Sequence, residues 1–397
     1  MIIRKARSED NQQIREISAI CFEYALRPEP TDSKPEEEHY FRWAALTDDE
    51  KTVMGTLTVN DYLVNFDGNT CRMGGIGGVA TLPQYRRQGC IRSCFNAALQ
   101  DMYSDGYILS YLYPFSTAYY RKFGYESCIQ KQFLTVQLST LKPDSVTGEF
   151  RMNHPRAPLT EAIRCIDRCW EQTFNMMVQH DVNYYDWTRE CIPAERMEYT
   201  YVYYAADGTP KAYTTFRPER LPESRHLNCS RFFFADREGF HGLMQLFKSM
   251  AADHKTVTFI LPAVPAMQYL LSELALESVD CVCKTIGMVR VINVKKALEM
   301  AKYRGSGRIS IEITDAQIAE NNHTYTIDFA DGRAVSVTTT GNSVDVKMDI
   351  TAFSALLLGA AEFDDACSCF TGIRVLNEDA CYNQVFYNKK MLITDGF

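Results

Sequence analysis

Apolar and polar positions along this chain switch between the two-residue period of strands and the 3.6-residue period of helices, and the switches mark its elements. Residues 2–6 read as a short strand. Ser8 is then placed to cap a helix carrying Ile14, Ile17, Ile20 and Phe22. Strand runs follow at 52–60 and 63–66, and Asp67-Gly68-Asn69 turns the chain into a further run at 70–73. Next come a strand at 76–82, a basic loop at 84–89, a helix at 90–104, a strand at 107–113 and a short helix at 117–122. Phe123-Gly124-Tyr125 leads into another strand. From Pro155 the order restarts: a helix at 159–175, a hairpin of 199–206 and 211–216 about Asp207-Gly208, a strand at 231–236, a helix at 239–252 and a strand at 256–261. This second series imitates the first, but the loop before its helix, ADREGFHG, lacks paired arginines.

The last hundred or so residues change character. Strand runs at 308–313, 324–329, 335–340 and 343–348 are separated by Asp331-Gly332 and Gly341-Asn342, both hairpin signals. An apolar helix at 350–359 and an amphipathic one at 379–387 precede the final LITDGF.

One junction concentrates the chemistry. Arg86, Arg87, Gln88 and Gly89 stand between a strand and a helix that begins Cys90-Ile91-Arg92. Gly89 lets the backbone approach a ligand closely, and the unpaired N–H groups and positive dipole end of the helix suit a pyrophosphate. Arg87 and Arg92 would add charge from the flanks. The preceding strand, Val79-Ala80-Thr81, would offer backbone groups along its edge to an extended, amide-bearing cofactor arm. The glycine run at 74–78, GGIGG, does not fit the dinucleotide pattern G-x-G-x-x-G and precedes a strand rather than a helix.

Composition narrows the classes. Lys and Arg total 42 and Asp and Glu 50, a net charge of −8, which argues against a nucleic-acid binder and suits a cationic partner. Residues 1–50 hold a marked excess of acid. No run approaches the roughly 18 apolar residues of a membrane span, and MIIRKARSED is not a secretory leader. The 14 cysteines include no C-x-x-C pair and the seven histidines are scattered, so buried, reduced thiols are expected, with no metal. The expectation is a cytoplasmic protein that engages neither nucleic acid nor membrane.

The junction resembles the GNAT superfamily of N-acetyltransferases. Arg86-Arg87-Gln88-Gly89-Cys90-Ile91 matches its acetyl-CoA loop, R/Q-x-x-G-x-G/A, except that Ile91 takes the sixth position. Tyr120-Arg121-Lys122-Phe123-Gly124-Tyr125 matches its second hallmark, Tyr-x-x-x-Gly-Phe/Tyr. The bulky loop residue, the strand-rich C-terminal part and the length of 397 residues resemble one branch, the enhanced intracellular survival (Eis) family. That resemblance implies an α/β (α+β) fold of two tandem GNAT acetyltransferase-like domains, at 1–145 and, degenerate, at 146–290. A sterol-carrier-protein-like α/β domain would cover 291–397.

It also implies an acetyl-CoA-dependent N-acetyltransferase working by direct transfer. Val79, Ala80, Thr81, Arg87, Gln88, Gly89, Cys90, Ile91, Arg92, Phe115 and Ser116 would contact acetyl-CoA. Tyr120 would be the general acid and the terminal carboxylate of Phe397 the general base. A carboxylate of pKa about 3.3–3.7 is a weak base for an ammonium near 10 unless the site shifts one or both values, and it would act directly or through a water. Glu23, Tyr24 and Trp43 are candidates for the acceptor wall. The acceptor would be a small cationic amine (aminoglycoside-like, a polyamine or a lysine), and the protein a homo-oligomer, in the family a hexamer. Two alternatives stay open from the sequence: a non-catalytic acyl-CoA binder or sensor, and a lipid-carrier module.

Overall fold

The structure, a computed structural model, describes residues 1–26, 39–222, 224–262, 279–339 and 343–397. The chain divides into two compact units, one of residues 1–129, 286–389 and 393–397, the other of residues 130–285 and 390–392. The first unit opens with β1 (Ile2–Lys5), α1 (Asn11–Cys21), β2 (Tyr40–Leu46), β3 (Val53–Phe66), β4 (Asn69–Thr81), α2 (Cys90–Ser104), β5 (Leu109–Leu112) and α3 (Thr117–Arg121). Next in the chain come β6 (Glu126–Gln137), β7 (Glu149–Met152), α4 (Thr160–Thr173), α5 (Trp187–Glu190), α6 (Pro193–Arg196), β8 (Tyr199–Tyr204), β9 (Pro210–Leu221), β10 (Ser224–Phe234), α7 (Arg237–Ser249) and β11 (Thr256–Pro262). The remainder is β12 (Val279–Val291), α8 (Val294–Met300), β13 (Gly307–Thr314), β14 (Thr324–Ala330), β15 (Arg333–Thr338), β16 (Val346–Asp349), α9 (Ile350–Leu357), α10 (Phe363–Cys369), β17 (Ile373–Val375) and α11 (Tyr382–Val385).

In the first unit the strands lie in the order β1-β2-β3-β4-β5-β12, with a second sheet ordered β15-β14-β13-β16-β17. In the second unit the order is β6-β11-β10-β9-β8-β7. The repeat read from the sequence is present in both. β3 and β4 run antiparallel and β4 then pairs parallel with β5 across α2. β9 and β10 run antiparallel and β10 pairs parallel with β11 across α7.

Helical spacing explains the cores. Ile91, Cys94, Phe95, Ala98, Leu99 and Met102 form one face of α2 and pack with Ala45, Leu57, Val59 and Ile76 of the sheet. Burying each large apolar side chain is worth about 1.5–3 kcal/mol. In the second unit Trp170 of α4 and Phe240, Leu243 and Phe247 of α7 pack with Val202, Tyr213, Leu227 and Phe259.

The structure departs from the sequence reading at several elements. Ser8 begins a 3₁₀ turn instead of capping α1, because the Asp10 carboxylate accepts from the Arg7 N–H at 2.7 Å and ties that turn to Arg4. Ile20 and Phe22 are exposed. The runs at 52–60 and 63–66 are one continuous strand, β3, and 70–73 joins 76–82 in β4. Asp67 (φ +52°) and Gly68 (φ +85°) turn the chain between them as a two-residue hairpin loop. The helix expected at 379–387 shrinks to α11. β12 was not anticipated, and its residues Met288–Val291 pair with β5, which draws 286–291 into the first unit and away from the expected limit at 290/291. The Gly341-Asn342 turn and most of the acidic stretch at 23–38 lie outside the described residues. All 14 cysteines are free thiols. No described helix is long and apolar enough to cross a membrane.

Candidate active site

The site begins where two parallel strands part. β4 and β5 pair from Met73↔Leu109 to Ile76↔Leu112, and β4 continues to Thr81 beyond the end of β5. On the other side of β4 the register shifts between Thr58↔Gly77 and Thr56↔Ala80, so Gly78 and Val79 stand opposite Leu57 alone. This is a β-bulge, a feature that bends a strand and re-aims its side chains. Gly78, with φ +56°, supplies the conformation the bulge requires. The Val79-Ala80-Thr81 segment thus forms one arm of an open fork.

The chain end fills the fork's base. The Phe397 ring lies 5.4 Å from Tyr62, 5.8 Å from Tyr111 and 5.5 Å from Tyr113, centroid to centroid. A Cβ at Gly75 would stand 2.8 Å from its Cζ, and one at Gly77 would stand 3.0 Å from its terminal carbonyl carbon. The glycine run that fails as a dinucleotide motif is therefore the floor on which Phe397 rests. Tyr113 Oη donates to the Asp395 carbonyl and holds the tail two residues from its end. Asn60 Nδ2 donates to the Gly75 carbonyl at 3.0 Å and braces the same floor.

Beyond the fork lies the N-terminus of α2. Its cap is Gly89, at φ +85°, and no side chain caps the helix. A Cβ at Gly89 would meet nothing within 4 Å, so the space before the helix is open. Arg87 adopts φ +64°, a conformation costing a side-chain-bearing residue about 1–2 kcal/mol. Such strain is retained where the backbone must present its N–H groups in a set direction. Arg86, Arg87 and Arg92 are exposed and pair with no carboxylate among the described residues. The result is an uncapped helix N-terminus flanked by cations without a carboxylate partner among the described residues, an arrangement whose chemistry suits an anion.

Residues 2–128 match the family model described as "Acetyltransferase (GNAT) domain", and residues 294–369 match "Sterol carrier protein domain". The first stretch is a GNAT acetyltransferase domain. The whole chain also shares its fold with solved structures. Eis1 from Mycobacterium abscessus aligns over 100% of each chain with a TM-score of 0.81 at 16% identity. A GCN5-related N-acetyltransferase from Anabaena variabilis aligns over 100% of each chain with a TM-score of 0.84 at 20% identity. A conserved protein of unknown function from Enterococcus faecalis covers 100% of this chain and 99% of its own, with a TM-score of 0.84 at 19% identity. No curated protein matches the chain in sequence.

Within the GNAT domain the anticipated residues fall into three groups. Cys90 and Ile91 turn their side chains into the core, Ile91 being 9% exposed. They present only backbone at the start of α2. Gln88 folds back onto the Gln84 carbonyl at 3.2 Å.

Phe115, Ser116 and Tyr120 form the second group. Ser116 caps α3 by accepting from the Tyr119 N–H. Tyr120 is 3% exposed, with its ring 5.9 Å from Phe95 and 5.2 Å from Phe115, itself 73% exposed. The Tyr120 hydroxyl has no hydrogen-bond partner among the described residues. Burial, reinforced by the neighbouring Tyr119 and Tyr125, pushes its pKa well above that of a free phenol. Tyr119 is half-buried and is raised by burial too, with the charge of Arg92 opposing the shift.

Glu23, Tyr24 and Trp43, the candidates for the acceptor wall, form the third group. Glu23 and Tyr24 are exposed past the end of α1, whose Cys21 thiol contacts the Thr81 carbonyl at 3.4 Å. Trp43 is half-buried on β2, packs at the edge of the α2 core, and leaves its indole N–H without a hydrogen-bond partner among the described residues.

Sequence reading missed Tyr62, Tyr111 and Tyr113. The same-face spacing of Tyr111 and Tyr113 just before the second hallmark was the available signal. It also missed why the hallmark needs Gly124. At φ +78°, a Cβ there would strike the Arg290 guanidinium. Arg290 is fully buried, donates to both Asp315 oxygens at 2.7 Å and to the Phe123 carbonyl, and so ties the turn after Tyr120 to the sterol-carrier-like part of the same unit. Removing one member of such a pair typically costs about 3–5 kcal/mol. Among the described residues no group of three or more His, Cys, Asp or Glu is placed to hold a metal ion.

Proposed function

We propose that the chain is an acetyl-CoA-dependent N-acetyltransferase that acts directly on an amine of a small cationic acceptor. The observation that carries this reading is the seat of the chain end against Gly75 and Gly77, in the fork beside an open anion site. The residues present suit acetyl-CoA. The uncapped N-terminus of α2 with Arg87 and Arg92 would hold its pyrophosphate, and Val79–Thr81 would pair with its pantetheine amides. Phe115 and Ser116 stand at the far arm of the fork.

The bound thioester would supply the acetyl group. The chain's own groups then divide the work. The terminal carboxylate of Phe397 would take the proton from the acceptor amine, directly or through a water; its ordinary pKa lies some 6–7 units below an amine's, so the transfer needs the site to bring the two values together or the proton to leave as the N–C bond forms. Tyr120 would face the departing sulfur. Its raised pKa keeps the phenol protonated at every physiological pH, so it serves as a hydrogen-bond donor to charge developing on sulfur. Holding amine and thioester together would provide much of the acceleration.

The acceptor's charge is supported by what lines the base of the fork. The rings of Tyr62, Tyr113 and Phe397 lie beside the terminal carboxylate, with the buried Asp395 two residues away. Aromatic faces next to anions favour an organic cation. Aminoglycosides, polyamines and lysine side chains share that chemistry. A cytoplasmic homohexamer belongs to the same reading, and a monomer mass by light scattering would remove the assembly from it.

The test is acetyl-CoA turnover over a panel of aminoglycosides and polyamines. It compares wild type with Tyr120→Phe and with a chain carrying one glycine appended after Phe397. Losses of about 100-fold in both variants are expected. Undiminished rates would remove the assigned roles, and calorimetric binding of acetyl-CoA without turnover on any amine would favour a sensor.

A further inference from the structure

The tail that carries Phe397 is gripped at its other end by the same hairpin that cradles it. Lys389 Nζ donates to Asp67 Oδ2 at 2.6 Å, and the two side chains are 4% and 5% exposed. Asp67 sits at the β3–β4 turn, and the same oxygen accepts from the Lys302 N–H at 2.8 Å. The Lys389 ammonium also lies 5.6 Å from the Phe66 ring and 5.1 Å from Tyr387. Gly359, at φ +82°, leaves room for the lysine stem, since a Cβ there would stand 2.6 Å from Lys389 Cγ. A buried ion pair seldom adds net stability over an apolar pair of the same volume, and its best-attested use is to fix a register.

The distances give this pair a register to fix. From Asp67 to Gly75 and Gly77 is eight to ten residues along β4, or roughly 27–33 Å of strand. From Lys389 to Phe397 is eight residues, which reach at most about 29 Å. The strand length exceeds the reach of the tail by no more than the Lys389 and Asp67 side chains can cover, so the tail must run close to fully extended between its two seats on one hairpin. Between them Ile393 is fully buried and the Asp395 carbonyl is held by Tyr113.

We propose that Lys389 and Asp67 are positioning residues that set where the Phe397 carboxylate stops in the fork. The pair acts as the fixed end of a ruler, and Gly75 and Gly77 mark its other end. This inference rests on the proposed catalytic use of the chain end. Loss of the pair would let the carboxylate retreat or swing, and an error of about 1 Å in a reacting group can cost about 100-fold in rate.

The experiment compares wild type, Lys389→Met, Asp67→Asn and the glycine-extended chain, each measured as the full protein with its melting temperature. In the two pair variants we expect kcat to fall at least about 10-fold with KM for acetyl-CoA within about twofold, because the α2 site is untouched. Added formate or acetate should restore part of the rate, as a free carboxylate takes the place of the displaced one. A purely structural pair would lower the melting temperature and leave kcat per folded molecule unchanged, with no rescue. If Lys389→Met fails to fold, Asp67→Asn, which keeps the shape of the side chain, decides alone. Unchanged kcat in Asp67→Asn while the glycine-extended chain is inactive overturns this inference and spares the catalytic reading. An active glycine-extended chain overturns both.

Discussion

Gly89 opens α2 in the first unit and Asp236 opens α7 in the second, and the two helices follow the same antiparallel–bulge–parallel strand arrangement. At α2 the cap has no side chain, the preceding arginines carry no carboxylate partner among the described residues, and the helix end stays open. At α7 the Asp236 carboxylate accepts from the Gly239 N–H at 2.9 Å and is paired with Lys211 at 2.7 Å. The second copy has filled its anion position with its own carboxylate. Every helix N-terminus has a positive end and unpaired donors. What separates a binding site from a stable helix start is whether the chain answers those donors itself. The first copy forgoes a side-chain cap, at a cost of only a few tenths of a kcal/mol because the residue is Gly89, and holds Arg87 at positive φ, at about 1–2 kcal/mol, with its donors left free.

The most forceful way to break the contrast is to give α2 the cap that α7 has. Gly89→Asp places a carboxylate where the pyrophosphate should sit, and like charges in contact cost several kcal/mol. Calorimetry should show acetyl-CoA affinity falling about 100-fold or more. Gly89→Ala separates charge from backbone strain, since it imposes the same unfavourable φ without the anion and should weaken binding far less. Equal affinity in wild type and Gly89→Asp would mean that α2 holds no anion.

Smaller effects should follow from the flanking cations. Arg92→Ala should weaken acetyl-CoA binding about 10-fold, and raising salt should shrink that difference. Arg87→Gly should move two quantities in opposite directions. Binding should weaken several-fold, while thermal unfolding shows a gain of about 1 kcal/mol as a residue suited to positive φ replaces the strained arginine. A variant that loses both stability and affinity would show that the Arg87 conformation is not held for the ligand.

The contrast was half legible in the sequence. The amphipathic pattern of α2, the RRQG loop and the weaker ADREGFHG loop all stand in contiguous sequence, so local periodicity and turn chemistry suffice to find them. The seat of Phe397 was not legible in that way. Tyr62 on β3, Gly75 on β4, Tyr111 on β5 and Tyr113 just past it meet at the chain end only through the β3–β4 and β4–β5 pairings. The glycine run announced a close approach without saying to what. Arg290–Asp315 and Lys389–Asp67 are hidden for the same reason, since a buried ion pair 25 or 322 residues apart leaves no local pattern. β12 escaped because its outer half is exposed and carries Cys281 and Cys283, while its last four residues pair with a strand far back in the chain.

The least disruptive test works on the second copy, by emptying its cap. Asp236→Ala removes the Gly239 contact and should cost about 1 kcal/mol of stability, read as a drop of a few degrees in melting temperature, with acetyl-CoA binding at α2 unchanged. The pH dependence should identify the carboxylate. Burial opposes ionisation of Asp236, but the Gly239 N–H and Lys211 outweigh it and hold the carboxyl below its usual value. A folded value below the unfolded one means that the cap's contribution is complete above about pH 4 and is lost as the pH falls through the folded value. Wild type and Asp236→Ala should therefore differ in stability at neutral pH and converge in acid. A constant gap down the whole acid limb would assign the loss to packing instead. If Asp236→Ala gained affinity for inorganic pyrophosphate, the second copy would differ from the first by little more than one side chain. If it gained none, the missing arginines matter more than the occupied cap, and opening a helix end is not enough to make it a site.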